Sequence, residues 1–505
     1  MLVQEAQIPN DLSTEHLQPD LKKHSVRGGL LTVTSQGAQF LIQSVSTVVL
    51  ARLLTPADFG LVAMVSAITG LGQAFADLGL SEATIQRKDI THDQITALFW
   101  INAAIGLGLT IVTAGLAPVL ASFYREPRLV AITLVMSLTF LIGGFRVQAD
   151  ALLKRQMRFS SLAVRDVATY VFSVALAIIL ALRGYGYWVL VALPLSLNGT
   201  RVILSWLMIK WRPGLPRRGA NVRSMVTFGG NVAASYFMTN INRSADSVLI
   251  GWHLGAAPLG LYSRAYNLLM LPVRQLSIPA TSVAVPAFSR LQNDPERFAR
   301  YYLRAANLMM WISAPVFAFL FVAAEPVIAL ALGNQWRGSA PVFKILVFSA
   351  LGQLLFDSII WLFVSRGQSG RMLRLLFVIS PIIVLSFAVG LPFGIDGVAF
   401  CGSLVLVGIL PWVLKFAFRD TTLTLKRLAR AVLCPVSLSV VGIIIAEIAV
   451  RAVVPEHIYS QLLVPASVFA IVYLLAALVR PVREELTSIW GLLGVSGVSR
   501  QGAPA

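Results

Sequence analysis

From about Leu30 to about Val479 the chain is a succession of apolar stretches, each near the ~20 residues that cross a bilayer core. About fourteen such spans follow one another, with polar breaks no longer than roughly 20 residues between them. Nothing else in the sequence constrains the fold as strongly. In hydrocarbon every backbone N–H and C=O must be paired within the protein, which leaves helices and closed barrels. Continuous runs of this length suit helices, because barrel strands are shorter and alternate in polarity. With 57% hydrophobic and 13% charged residues among 505, the chain also has more apolar surface than a water-exposed fold of its size buries. The expectation is an all-α polytopic membrane protein.

The formal net charge is +18. Its distribution reports topology rather than a nucleic-acid partner. If the N-terminus is cytoplasmic, about 29 of the 41 Lys and Arg fall in inside segments. About six (Arg52, Arg125, Arg128, Arg183, Arg337, Arg451) fall in outside loops, and the remainder lie within spans. That bias places both termini in the cytoplasm and lets the inner rim contact anionic lipid heads. The leading residues 1–27 carry Glu5, Asp11, Glu15 and Asp20 and lack the pattern of a signal peptide, so they read as a cytosolic tail. Cys401 and Cys434 both fall within spans and give no disulfide framework. Five scattered histidines give no metal spacing, and no GxxxxGK[ST] loop is present, so neither metal nor cofactor is expected.

The stretch VVLARLLTPADFGL (48–61) breaks an apolar run with a helix-start signal. Thr55 suits an N-cap, Pro56 the first helical position, and Asp58 the third position after the cap. Two hundred residues later VLIGWHLGAAPLGL has the same shape. In ungapped register Leu54 falls on Leu254, Ala57 on Ala257, Gly60 on Gly260 and Leu61 on Leu261. A looser echo links GYGYWVL (184–190) to GIDGVAF (394–400). The expected organisation is a tail (1–27), a six-span lobe (28–212), a second six-span lobe (213–420), two further spans (421–482) and a C-terminal tail (483–505). Six spans is an even number, so the halves run parallel, related by an axis along the membrane normal.

Polar residues recur at helical spacing inside four spans. Span 1 carries Thr32, Gln36, Gln39, Gln43 and Ser46 on one face. Span 2 carries Gln73, Asp77, Ser81 and Thr84, and span 7 carries Asn231, Ser235, Thr239, Asn242 and Asp246 beside Arg243. Span 8 holds Arg264, Asn267 and Arg274 within about 80° of arc, followed by Ser277 and Thr281. A charge facing lipid at mid-membrane costs ~2.5–3.5 kcal/mol even on the lenient insertion scale. The stripes therefore read as the walls of a wet central cavity, or as interhelical hydrogen-bonding positions. Pro272, Pro279 and Pro286, seven apart in span 8, mark a bent helix. Arg146–Asp150 and Glu447–Arg451 read as i,i+4 pairs, Arg201 and Lys344 as cavity-lining or snorkelling cations, and Asp357 as a carboxylate with no obvious partner.

The runs ARLLTPADFGLVAM and FADLGLSEATIQRK resemble the polysaccharide exporter branch of the multidrug/oligosaccharidyl-lipid/polysaccharide (MOP) superfamily. They are most similar to Wzx-like flippases and colanic-acid-type exporters. The resemblance implies two pseudo-symmetric lobes of the MATE-like type around a central cavity lined by spans 1, 2, 7 and 8. It implies cations there for a lipid-linked pyrophosphate glycan, and at matching positions these are Arg243, Arg264 and Arg274. Span 1 departs from the arginine-rich first span of the lipid II branch by offering Gln36, Gln39 and Gln43, which argues against a peptidoglycan precursor. Amides, including Asn242 and Asn267, suit sugar hydroxyls because they both donate and accept.

The function this implies is flipping of undecaprenyl-pyrophosphate-linked oligosaccharide across a bacterial inner membrane by alternating access, with no bond made or broken. Asp77 and Asp246 are the positions for proton or sodium coupling, since an intramembrane carboxylate readily shifts its pKa. Expected partners are the lipid-linked substrate and membrane lipids, with a polysaccharide polymerase and a chain-length regulator beside a monomeric transporter. Two alternatives stay open. A cation-coupled drug antiporter would want an acidic cavity, and a membrane polymerase or glycosyltransferase would want a larger extramembrane loop.

Overall fold

The computed structural model describes residues 21–76, 79–86, 90–215, 244–453, 457–480 and 482–483, and all regular structure among them is helical. Helix starts follow local chemistry. α1 (Leu21–Leu53) ends at the predicted break, and α2 (Pro56–Ala76) begins with the expected reciprocal cap. The Thr55 backbone N–H and hydroxyl both donate to Asp58 Oδ2, at 2.9 and 2.7 Å, and the Asp58 N–H donates back to Thr55 Oγ1 at 3.3 Å. After the short α3 (Leu80–Gln86), α4 (His92–Gly115) opens on a full capping box made by Thr91 and Gln94.

α5 (Ala117–Tyr124), α6 (Arg128–Arg155), α7 (Phe159–Leu182) and α8 (Trp188–Met208) complete the first half. α9 covers 244–254. α10 (Ala256–Leu291) contains all three prolines predicted to bend it. α11 (Pro295–Val322) starts at the Asp294 cap, whose carboxylate accepts from the Arg297 N–H at 3.0 Å. α12 (Ala324–Ala331), α13 (Ser339–Ser365), α14 (Ser369–Gly390), α15 (Gly394–Ala417), α16 (Leu425–Val453) and α17 (Ile458–Leu478) follow.

Among the described residues ten helical stretches are long and apolar enough to cross a membrane, and the longest, Gly370–Ala417, covers both α14 and α15. Their outer faces expose Ile111, Leu182, Leu207, Leu385 and Leu474, an apolar exterior suited to lipid. The protein is a polytopic helical membrane protein.

Packing divides it into two compact units, residues 1–261 and 262–505. Lipid removes the hydrophobic drive between helices, so close contact depends on small residues and interhelical hydrogen bonds. In the first unit α4 and α6 cross backbone to backbone. A Cβ on Gly106 would fall 2.6 Å from Phe140 O, and one on Gly144 would fall 2.6 Å from Asn102 O. Thr110 Oγ1 donates across the same interface to Ser137 O at 3.0 Å, and Thr84 of α3 donates to Gln148 of α6 at 2.9 Å. In the second unit Tyr302 of α11 and Ser358 of α13 share a hydrogen bond of 2.8 Å, and Ser439 of α16 meets Tyr473 of α17 at 2.6 Å.

Candidate functional site

In the first unit, α1 carries Gln36 and Gln43 exposed and Gln39 half-buried, at the spacing read from sequence. Asp77, Asn242 and Arg243 lie outside the described residues. Asp246, on α9, is buried, and its Oδ1 accepts from the Ser247 N–H at 2.6 Å and from the Ser247 hydroxyl at 3.2 Å.

In the second unit, α10 carries Arg264 half-buried and Asn267 and Arg274 exposed. Further along the same helix Ser277 donates to Asp357 of α13 at 2.7 Å, and Gln353 donates to the other oxygen of that carboxylate at 2.8 Å. Asp357 is therefore a held carboxylate, corrected from the partnerless one the sequence suggested. Trp361 of α13 donates to Thr281 at 2.9 Å. The lower part of the α10 polar stripe is thus interhelical hydrogen bonding, while Arg264, Asn267 and Arg274 lie in the stretch before it. Lys344 pairs with Glu325 at 3.5 Å.

The two matched hairpins meet. A Cβ on Gly60 of α2 would fall 1.7 Å from Ala256 O, and a Cβ on Gly260 of α10 would fall 1.8 Å from Pro56 O. The contact is reciprocal under the 200-residue offset: each glycine receives the backbone of the residue four before its equivalent. α9 joins this packing through Gly251, which sits against Tyr124 and Met64. At the neighbouring turn Arg128 donates to both oxygens of Glu126 at 2.8 Å, which holds the Glu126 carboxyl below its ordinary range.

A half-buried ionic cluster around the buried Arg165 in the first unit was only partly legible. Arg146 and Asp150 of α6 lie 3.8 Å apart, but the close partner of Asp150 is Arg165 of α7, which also binds Asp166 at 2.7 Å. Ser205 of α8 donates to Asp150 at 2.9 Å, and Arg201 of α8 stands 3.6 Å from Asp166 and over the Tyr170 ring. The sequence reading had not singled out Arg165 or Asp166. The signal was the Arg165–Asp166 pair two turns into α7, facing a span with its own Arg and Asp.

The described residues thus form an all-helical membrane protein with three prolines inside α10, amides along α1 and the two matched hairpins in reciprocal contact. The fold is similar to that of the lipid II flippase MurJ in its inward closed conformation, with a TM-score of 0.69, 13% identity, 89% of this chain covered and 99% of that one. The chain belongs to the polysaccharide biosynthesis protein family, which it matches over residues 49–341. Curated relatives include the teichuronic acid biosynthesis protein TuaB of Bacillus subtilis (strain 168), 24% identical over 67% of this chain and 71% of the relative. The lipopolysaccharide biosynthesis protein WzxC of Escherichia coli (strain K12) is 25% identical over 60% of this chain and 62% of the relative.

Proposed function

We propose that the protein flips undecaprenyl-pyrophosphate-linked oligosaccharide from the cytoplasmic to the periplasmic leaflet of a bacterial inner membrane. The observation that carries this reading is the family match over residues 49–341, on a chain whose α1 and α10 stripes carry amides and arginines. Relatives named for teichuronic acid and lipopolysaccharide biosynthesis support a glycan on a lipid carrier. No covalent step is involved, and both termini are cytoplasmic.

In this reading Arg243, Arg264 and Arg274 hold the pyrophosphate by charge-assisted hydrogen bonds. Gln36, Gln39, Gln43, Asn242 and Asn267 take the sugar hydroxyls, and Asp77 and Asp246 carry any coupled cation. The six-span halves, 28–212 and 213–420, are the moving bodies. The Gly60–Gly260 crossing is the outer gate, which must part for release. The transporter works as a monomer beside a polymerase and a chain-length regulator.

The test is depletion in the native host followed by mass spectrometry of the lipid fraction. A backlog of complete lipid-linked repeat units on the cytoplasmic leaflet is expected. Loss of the surface glycan without any lipid-linked backlog would overturn the reading.

A further inference from the structure

Inside the first unit a cavity of about 190 Å³, several water molecules' worth, is lined by Gln73 of α2, Ser81 of α3, Arg146, Asp150 and Lys154 of α6, and Asn198 of α8. Gln73 and Ser81 belong to the span 2 stripe read from the sequence, but none of these six residues is among those assigned to the substrate above. Arg146 and Lys154 are two helical turns apart on α6, and both side chains border this one space.

The two carboxylates of the cluster are already committed. Asp150 Oδ1 accepts from Arg165 and Ser205, and Asp166 Oδ1 accepts from Arg165 Nε and Nη2 at 3.0 and 2.7 Å. Arg165, which makes both links, is almost fully buried. Arg146 lies 3.8 Å from Asp150, beyond hydrogen-bond range, and its Nε is buried without an acceptor. Among the described residues four cations (Arg146, Lys154, Arg165, Arg201) thus stand against two aspartates. The surplus of two positive charges borders a cavity whose remaining polar lining is amide and hydroxyl. A structural role for Arg146 would have brought its guanidinium onto Asp150; instead Arg165 holds that carboxylate and leaves Arg146 at the cavity wall.

We propose that this cavity is a phosphate-anion site, with Arg146 and Lys154 as its charged ligands and Gln73 and Asn198 as neutral ones. Resting on the flippase reading, the anion is the diphosphate of the lipid-linked substrate, held at the inner end of α6 before it reaches the α10 arginines. A guanidinium with an unfilled donor supplies directional hydrogen bonds, and Lys154 supplies a mobile point charge. The diphosphate offers the complementary charge to a site that the protein's own carboxylates leave positive.

The experiment uses the purified full-length protein in detergent, titrated with inorganic pyrophosphate while its thermal unfolding is followed. A ligand that binds only the folded state raises the midpoint in a saturable way. The wild type should show that rise. Arg146→Gln and the exposed Lys154→Gln should each weaken apparent affinity by about tenfold, one charge-assisted contact being worth ~1.5–3 kcal/mol. Arg146→Lys should retain part of the binding, and Lys344→Gln, in the second unit, should match the wild type. A wild type that shows no saturable rise, or variants that bind as it does, would overturn the site.

Two competition arms separate sources of the phosphate. Displacement of pyrophosphate by undecaprenyl diphosphate supports the substrate assignment. Displacement by phosphatidylglycerol alone makes the cavity a headgroup site and overturns that assignment. Because pyrophosphate binding is read without transport, failure of the flippase reading leaves this measurement standing, and the reverse also holds.

Discussion

Gly60→Ala is the smallest change that probes the reciprocal hairpin crossing. The new Cβ would lie 1.7 Å from Ala256 O, 2.5 Å from Ala256 C and 2.9 Å from Ala256 Cα. Every obstructing atom is backbone, so no side chain can rotate out of the way. Contacts below 3.0 Å do not occur for real Cβ atoms, so α2 and the first turn of α10 must retreat by at least about 1.3 Å. Overpacking of this kind costs ~1–3 kcal/mol. If the crossing exists only while the outer gate is shut, the cost falls on that state alone and lowers its population by ~5–150-fold relative to the open one. Cysteines at Ala57 and Ala257, one residue from the contact, report the shut state by oxidative crosslinking in membranes, since a disulfide requires Cα atoms within about 7 Å. Gly60→Ala should slow that crosslinking severalfold, and Gly260→Ala should do the same because its Cβ meets Pro56 O at 1.8 Å. Gly70→Ala, on the same helix with nothing within 4 Å, is the control and should leave it unchanged. Crosslinking as fast in Gly60→Ala as in its parent would refute the gate.

Arg165→Ala removes the buried guanidinium shared by the half-buried Asp150 and Asp166 and should cost ~1.5–3 kcal/mol, seen as a lower folded yield and unfolding midpoint in detergent. Arg274→Ala should instead abolish glycan export at near-normal abundance, because the side chain is exposed and leaves no buried partner behind; unchanged export would move the pyrophosphate contact elsewhere. The Glu126 carboxyl is held below its ordinary value by Arg128, so its small stabilisation is present above the unfolded pKa and disappears as pH falls through the lowered folded one. Glu126→Gln should lower the neutral plateau slightly and flatten the acid side of the unfolding-midpoint profile, the two profiles converging at low pH.

The sequence made the helical class legible because lipid permits so few backbone solutions, and the Thr55–Asp58 cap legible because capping is local chemistry. The 200-residue register also singled out Gly60 and Gly260, which the structure brings into reciprocal contact. Tertiary partners were less accessible. Asp357 appeared partnerless because Ser277 stands eighty residues away and only the packing of α10 on α13 joins them. Arg165 was not singled out because a charged pair near a helix end reads as solvated, whereas the α6–α7–α8 packing buries it. Arg146–Asp150 was recognised as an i,i+4 pair, yet that geometry says nothing of the stronger claim Arg165 makes on the same carboxylate. For Gln36, Gln39 and Gln43 the spacing fixed which residues share a face of α1, a property of the helix alone.

The central claim is movement of a lipid-linked glycan between leaflets, and the direct measurement is flipping in proteoliposomes. Vesicles containing the purified protein and undecaprenyl-pyrophosphate-linked oligosaccharide are mixed with a membrane-impermeant glycosidase, and the protected fraction is followed over time. The account predicts that protected glycan becomes accessible with wild-type protein and stays protected with Arg274→Ala or with the Ala57–Ala257 crosslink in place. Protection that persists with wild-type protein, under imposed proton and sodium gradients and with glycans of the host's own surface polymer, would contradict it.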